Sequence, residues 1–274
     1  MNGNEFYFCD ARKGLAHLKA QGRTAALCYI DPPFLTGRDF GAYDDRYASD
    51  EDYYAMMRQV LQGIYDILTP EGSLFVHIDE RTHARLRLML DEIFGEENFR
   101  NEIIWTYRSG GRATRHFSRK HDTILFYARS RAAYFDAMQD ALPRAQVRGN
   151  HMKRQVDGDG RTFRTIRSGG KLYRYYDDEG VPPSDVWTDI SHLQQRDPER
   201  TGYPTQKPLR LLERIVRCAS REGDTVLDVF AGSGTTLEAA FRLGRRFIGM
   251  DASPESLDVV QKRLAQAQMT VTVL

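Results

Sequence analysis

An α/β fold, with a mostly parallel sheet covered by helices on both faces, is what this sequence predicts. Three observations carry the prediction. Short apolar runs rich in β-branched and aromatic residues alternate with segments of helical periodicity. The run at residues 24–30 is almost continuously apolar, as a strand buried on both faces must be, and further strand-like runs lie at 224–230 and 245–251. The 274 residues, 41% hydrophobic and 28% charged, suffice for one large domain with an insertion.

The elements follow in order. "EFYFCD" (5–10) reads as a strand ending on Asp10, "ARKGLAHLKA" (11–20) as a helix, and "TAALCYI" (24–30) as a buried strand ending at Asp31. Residues 35–48 form a loop rich in Gly, Asp and Tyr; its carboxylates, with no His or Cys beside them, give a solvated loop that closes over a substrate rather than a metal site. Ser49 caps a helix with acidic residues in its first turn. "TPEGS" (69–73) is a turn, "SLFVHI" (73–78) a strand, and residues 81–94 a helix that Gly95 ends. "NEIIWTY" (101–107) and "HDTILFYA" (121–128) are strands flanking the basic, mobile segment "RSGGRATRHFSRK". His77 and His121 adjoin these strands and read as structural residues. The pattern then weakens, and residues 131–200 read as an insertion. After it come a helix (209–220), a strand (224–230), the turn "AGSG", a helix (235–244), a strand (245–251) and a last helix (253–267). The domain organisation is therefore 1–130, the insertion 131–200, and 201–274 completing the first part.

Charge is unevenly spread. The chain carries only +1 overall, yet residues 101–175 hold 16 Lys and Arg against 6 Asp and Glu. That asymmetry fits either a solvated basic surface or a segment binding a polyanion. Three cysteines, Cys9, Cys28 and Cys218, sit in apolar segments without metal-ligand spacing, and predict reduced thiols in a cytoplasmic protein. No apolar stretch approaches a membrane span, and no secretory leader is visible at the N-terminus.

Two stretches carry chemistry. "VLDVFAGSGTT" (226–236) is a strand, a turn and a helix start, in which Gly232 and Gly234 allow a sharp bend and close approach of a ligand. The next strand ends on Asp251, placed to hold ribose hydroxyls. A plain strand-to-helix turn has the same outline. A dinucleotide site is disfavoured, because Thr235 and Thr236 replace the third glycine and Asp228 would repel a pyrophosphate. A cofactor with sulfonium and ammonium groups suits the acidic turn better. The second stretch, "IDPPF" (30–34), is either a proline turn or a rigid mount for a carboxylate and a ring.

Taken together these motifs resemble a known family. "VLDVFAGSGTT" resembles the F-x-G-x-G cofactor motif of S-adenosylmethionine-dependent amino-methyltransferases acting on DNA. "IDPPF" resembles their catalytic D-P-P-Y motif, and "GYPTQKP" (202–208) the H-P-T-Q-K-P segment of β-class enzymes and type III modification subunits. The order, catalytic motif first and cofactor motif last, is the β-class arrangement. RNA and protein-glutamine enzymes with N-P-P-Y carry that motif after the cofactor motif. The resemblance covers most of the chain outside 131–200.

It implies a Rossmann-like methyltransferase sheet in permuted motif order with a basic inserted target-recognition region. It also implies the site residues. Asp228, Phe230, Ala231, Gly232, Ser233, Gly234 and Thr235 would line an S-adenosyl-L-methionine pocket, with Asp251 on the ribose. Thr205 and Lys207 would lie near the methionine carboxylate. Asp10 would reach the adenine amine or simply cap the helix that follows.

Asp31, Pro32, Pro33 and Phe34 would be catalytic. The Asp31 carboxylate and the Pro32 carbonyl would accept the two N–H bonds of an exocyclic amine, and Phe34 would stack on the flipped base. Two departures matter. Phe34 stands where Tyr is usual, which removes a hydroxyl; Asp31 stands where cytosine-N4 enzymes often have Ser, which favours adenine N6. Arg108, Arg112, Arg115, Arg119 and Lys120 would contact phosphates of double-stranded DNA, and residues 131–200 would read the site. The expected function is site-specific adenine-N6 methylation in a restriction-modification setting. The alternatives are cytosine-N4 methylation and a DNA-binding modification subunit inactive by itself. Dimerisation is common in that family.

Overall fold

A computed structural model describes residues 3–42, 45–107, 113–144 and 152–274. The chain divides into two compact units: residues 1–135 with 185–274, and residues 136–184. Residues 131–135 and 185–200, expected within the insertion, thus belong to the first unit.

In the first unit the elements run β1 (Glu5–Phe8), α1 (Ala11–Ala20), β2 (Ala25–Ile30), α2 (Asp50–Ile67), β3 (Leu68–Ile78), α3 (His83–Phe94), β4 (Phe99–Thr106) and β5 (His121–Ala128). The second unit holds β6 (Leu142–Pro143), β7 (Gln155–Val156), β8 (Thr162–Ser168), β9 (Lys171–Tyr176) and β10 (Gly180–Val181). The first resumes with β11 (Val186–Trp187), α4 (Leu209–Ala219), β12 (Thr225–Asp228), α5 (Thr235–Arg242), β13 (Arg246–Asp251), α6 (Pro254–Arg263) and β14 (Thr270–Val273).

Among the described residues the main sheet has nine strands in the order β11-β4-β5-β3-β2-β12-β13-β1-β14. Neighbours pair in parallel except β5, which is antiparallel to both β3 and β4. The period-2 alternation divides each central strand between two cores. Leu27 and Tyr29 face one cluster with α4 and α5, while Cys28 and Ile30 face the other with α1, α2 and α3. The same split separates Val226 from Leu227 and Phe247 from Ile248. Burial on both faces explains the apolar runs.

Local signals acted as expected at several ends. Ser49 accepts the Asp52 N–H at 3.2 Å, and Gly95 closes α3 at φ 87°. Elsewhere the chain differs. "TPEGS" is not a turn ahead of the strand but part of β3, at an irregularity in register between the pairs Ala25–Leu68 and Leu27–Ser73. The loop at 35–48 is not simply solvated. Asp45 is fully buried and accepts from Leu35 N (3.1 Å), Thr36 N (2.7 Å) and Thr36 Oγ1 (2.6 Å). Three donors offset the desolvation of that carboxylate and pin the chain just after Phe34.

The second unit has a three-stranded antiparallel sheet, β7-β8-β9, and the pair β6-β10. The β8–β9 hairpin turns through Gly169 and Gly170, at φ 57° and 75°, with Ser168 opposite Lys171. All three cysteines are buried, and none forms a disulfide. No helix among the described residues is long and apolar enough to cross a membrane.

Candidate active site at the adjoining ends of β2 and β12

The two motifs lie nearly 200 residues apart in sequence, yet β2 and β12 are neighbours, with Leu27 opposite Val226 and Cys28 opposite Leu227. Parallel pairing brings their C-terminal ends to one edge of the sheet. There a cavity of about 530 Å³ opens, lined by Asp31, Pro32, Pro33 and Phe34 on one side and the 228–235 turn on the other. Crevices at the carboxyl ends of strands are where open α/β sheets bind ligands.

Most expected pocket residues line this cavity: Asp10, Thr205, Lys207, Asp228, Phe230, Ala231, Gly232, Ser233, Thr235 and Asp251. Gly234 does not line it; at φ 74° it precedes α5, and a Cβ there would come within 2.9 Å of Val260 Cγ2. Gly232 is at φ 48°, and a Cβ would come within 3.1 Å of the Tyr203 ring. Tyr203, from "GYPTQKP", is thus packed beneath the glycine turn. The Thr235 hydroxyl donates to the Lys207 carbonyl at 3.3 Å, joining the two motifs again. Thr205 and Leu35 are non-glycine residues at φ 57° and 56°, and such strain gathers at functional sites.

The acidic groups are tightly held. Asp10 caps α1, accepting from Arg12 N at 2.9 Å, and also lines the cavity. Asp251 accepts from Gly232 N and Ser253 N, both at 2.8 Å. Each oxygen retains acceptor capacity. Asp228 is fully buried and accepts from Phe230 N at 3.0 Å. Burial pushes its carboxyl up to about 7 against the hydrogen bonds from Thr236 and Phe230, with the charges of Asp31 and Asp251 adding to the rise.

Because the folded protein holds that proton more tightly than the unfolded chain, the associated stability is present below the ordinary carboxyl value and is lost as pH rises through about 7. Asp228→Asn removes this term. Its melting temperature should gain on the parent between pH 5 and pH 8 in thermal scans, and a constant gap would refute the raised value.

At the catalytic motif, Asp31 Oδ2 pairs with Lys207 Nζ, whereas Oδ1 is buried without a partner. Phe34 stacks on His77 with centroids 6.2 Å apart, and the Lys207 ammonium lies 5.1 Å from its ring centroid. His77 is fully buried, with Nδ1 2.8 Å from the Tyr29 hydroxyl and Nε2 3.0 Å from Asp122 Oδ2. Tyr107 donates to the other Asp122 oxygen at 2.9 Å. Burial alone would raise the Asp122 carboxyl; His77, Lys207 and Tyr107 hold it down at about 2. The reading of His77 as a satisfied structural residue agrees with these bonds, but its place behind Phe34 had no sequence signal.

The basic hairpin between β4 and β5 leaves the same sheet edge, closed at its base by Tyr107 N donating to the Lys120 carbonyl at 2.9 Å. Arg119 pairs with Glu80 at 2.8 Å. Arg115 is on the described part of the loop, and Phe117 is 99% exposed. Arg108 and Arg112 lie outside the described residues. No cluster of three metal-ligating side chains occurs among the described residues.

A mostly parallel sheet with one reversed strand, bearing D-P-P-F and a two-glycine turn at adjoining strand ends, defines a methyltransferase of the S-adenosylmethionine-dependent class. The chain belongs to the N6/N4 DNA methylase family, whose model matches residues 25–262. It is 30% identical over 256 residues to the Type II methyltransferase M.HpaI of Haemophilus parainfluenzae, covering 93% of this chain and 72% of that protein. It is 27% identical over 264 residues to the DNA adenine methyltransferase YhdJ of Escherichia coli K12, covering 96% and 84%.

Among solved structures it resembles the M1.HpyAVI–SAM complex, with a TM-score of 0.61 at 19% identity over 95% of this chain and 98% of that one. It also resembles the cytosine-N4-specific PvuII DNA methyltransferase, at 0.63 and 14% over 94% and 85%. These two likenesses establish the fold. The pocket fits the family's cofactor, S-adenosylmethionine: the Gly232 turn is a cradle that a side chain would fill, and acidic groups surround it.

Proposed function

We propose that this methyltransferase acts on the exocyclic N6 of an adenine flipped out of duplex DNA. The observation that carries the reading is the buried, unpartnered Oδ1 of Asp31 at the cavity wall, an acceptor with no donor of its own. An aromatic amine is a poor nucleophile because its lone pair is delocalised into the ring. Asp31 Oδ1 and the Pro32 carbonyl accept its two N–H bonds and draw the nitrogen toward tetrahedral geometry. The two prolines fix φ, so these acceptors need little ordering. The cofactor, when bound, supplies an electrophilic methyl group. As positive charge develops on nitrogen, the Asp31 carboxylate stabilises it and then takes the proton. Phe34 presents its ring for stacking.

An aspartate at the head of the motif favours adenine over cytosine, and YhdJ, named for adenine, is similar over nearly the whole chain. Arg115, Arg119 and Lys120 neutralise phosphates along the hairpin, Arg119 after release from Glu80, so affinity falls steeply with salt. The unit at 136–184 reads the target sequence. Incubation with labelled S-adenosylmethionine and unmethylated genomic DNA, followed by digestion and mass spectrometry, should yield N6-methyladenine. N4-methylcytosine would overturn the base assignment, and no transfer would leave a DNA-binding subunit.

A further inference from the structure

In this structure Lys207 takes the charge of Asp31 and the face of Phe34, two features the target base needs, although Oδ1 of Asp31 stays open. Its ammonium is bonded to Asp31 Oδ2 and stands over the Phe34 ring. The pair is largely enclosed, with side chains 11% and 19% exposed. A neutral amine cannot displace it. That exchange would trade a charge-assisted bond for a weaker one and leave an ammonium without a counterion in a poorly solvated site. An anion is required. The protein's own carboxylates around the site already hold donors, Asp122 from His77 and Tyr107, Asp251 from Gly232 and Ser253, Asp228 from Phe230, Asp10 from Arg12 and Asp45 from Thr36, so the anion comes with a ligand. The Lys207 backbone is tied to the cofactor turn through Thr235, while its four-carbon stem can swing.

We propose that Lys207 is a latch on the base-accepting half of the site, released when the amino-acid carboxylate of the cofactor takes its ammonium from Asp31. The inference rests on the cofactor reading above. After the exchange Lys207 holds the ligand carboxylate, and the Asp31 carboxylate, no longer neutralised, presents Oδ1 and its charge to the amine. Cofactor binding therefore precedes entry of the base. Lys207 acts on Asp31 as a positioning residue, and the cofactor pays for the release with its own ion pair.

The test needs no DNA. In calorimetry, S-adenosylhomocysteine carries the carboxylate, whereas 5′-methylthioadenosine shares the adenosine and thioether but lacks it. Asp31→Asn leaves Lys207 unlatched and should tighten S-adenosylhomocysteine binding about tenfold, a typical scale for losing one partly buried ion pair. Binding of 5′-methylthioadenosine should not change, which also reports a folded pocket. Lys207→Met should weaken only the first ligand. Unchanged or weaker S-adenosylhomocysteine binding in Asp31→Asn overturns the latch, as does equal tightening of both ligands, which would mean a reshaped pocket. If neither nucleoside binds the unaltered protein, the cofactor reading falls and the latch with it.

Discussion

Asp31→Ala is expected to lower methyl transfer by about a thousandfold or more while cofactor binding persists, since it removes both an amine acceptor and the charge that meets the developing cation. The geometry makes this prediction specific. Asp31 sits at the end of a strand buried on both faces, its Oδ1 has no other partner, and the prolines after it fix the backbone. Alanine removes the carboxylate without disturbing the strand, whose pairing involves backbone only. Initial rates with labelled cofactor, beside calorimetry with S-adenosylhomocysteine, separate the two effects. Near-normal turnover would remove Asp31 from its role, and lost binding would make it structural.

Gly232→Val should abolish cofactor binding, with affinity falling at least about a hundredfold, and so abolish activity. Two independent penalties apply. A β-branched residue at φ 48° is strained by roughly 1–3 kcal/mol. Its Cβ would also lie 3.1 Å from the Tyr203 ring, and the added methyl groups would intrude on the cavity floor. The Gly232 N–H that Asp251 accepts would shift with the turn, loosening the carboxylate expected to hold the ribose. Unaltered affinity in calorimetry would show that the cofactor does not rest on this turn.

The strands, helices and motif order were largely legible because each rests on short-range physics. Buried parallel strands must be continuously apolar, helix starts need caps such as Ser49, and prolines end a strand wherever they fall. The insertion carries a local signal as well. "SGGK" between alternating runs announces the β8–β9 hairpin, which the scattered charges of the insertion obscured. The terminal "TVTV" alternates as an edge strand does, and β14 is one. Other features had no local signal. Nothing near Asp45 says that its carboxylate is buried beneath Leu35 and Thr36, nor near His77 that its ring backs Phe34. Both depend on which segments pack together.

By itself the sequence determined the class of fold, the two-glycine turn, the D-P-P-F turn and the order of the two, since these are properties of residue type and spacing along the chain. The tertiary structure decided what those residues touch. Pairing β2 with β12 made one cavity of two distant motifs, and the fold set Lys207, 176 positions from Asp31, on that carboxylate. The physical reason is that an ammonium in an enclosed site takes the nearest available anion, and only the folded chain fixes which anion is nearest.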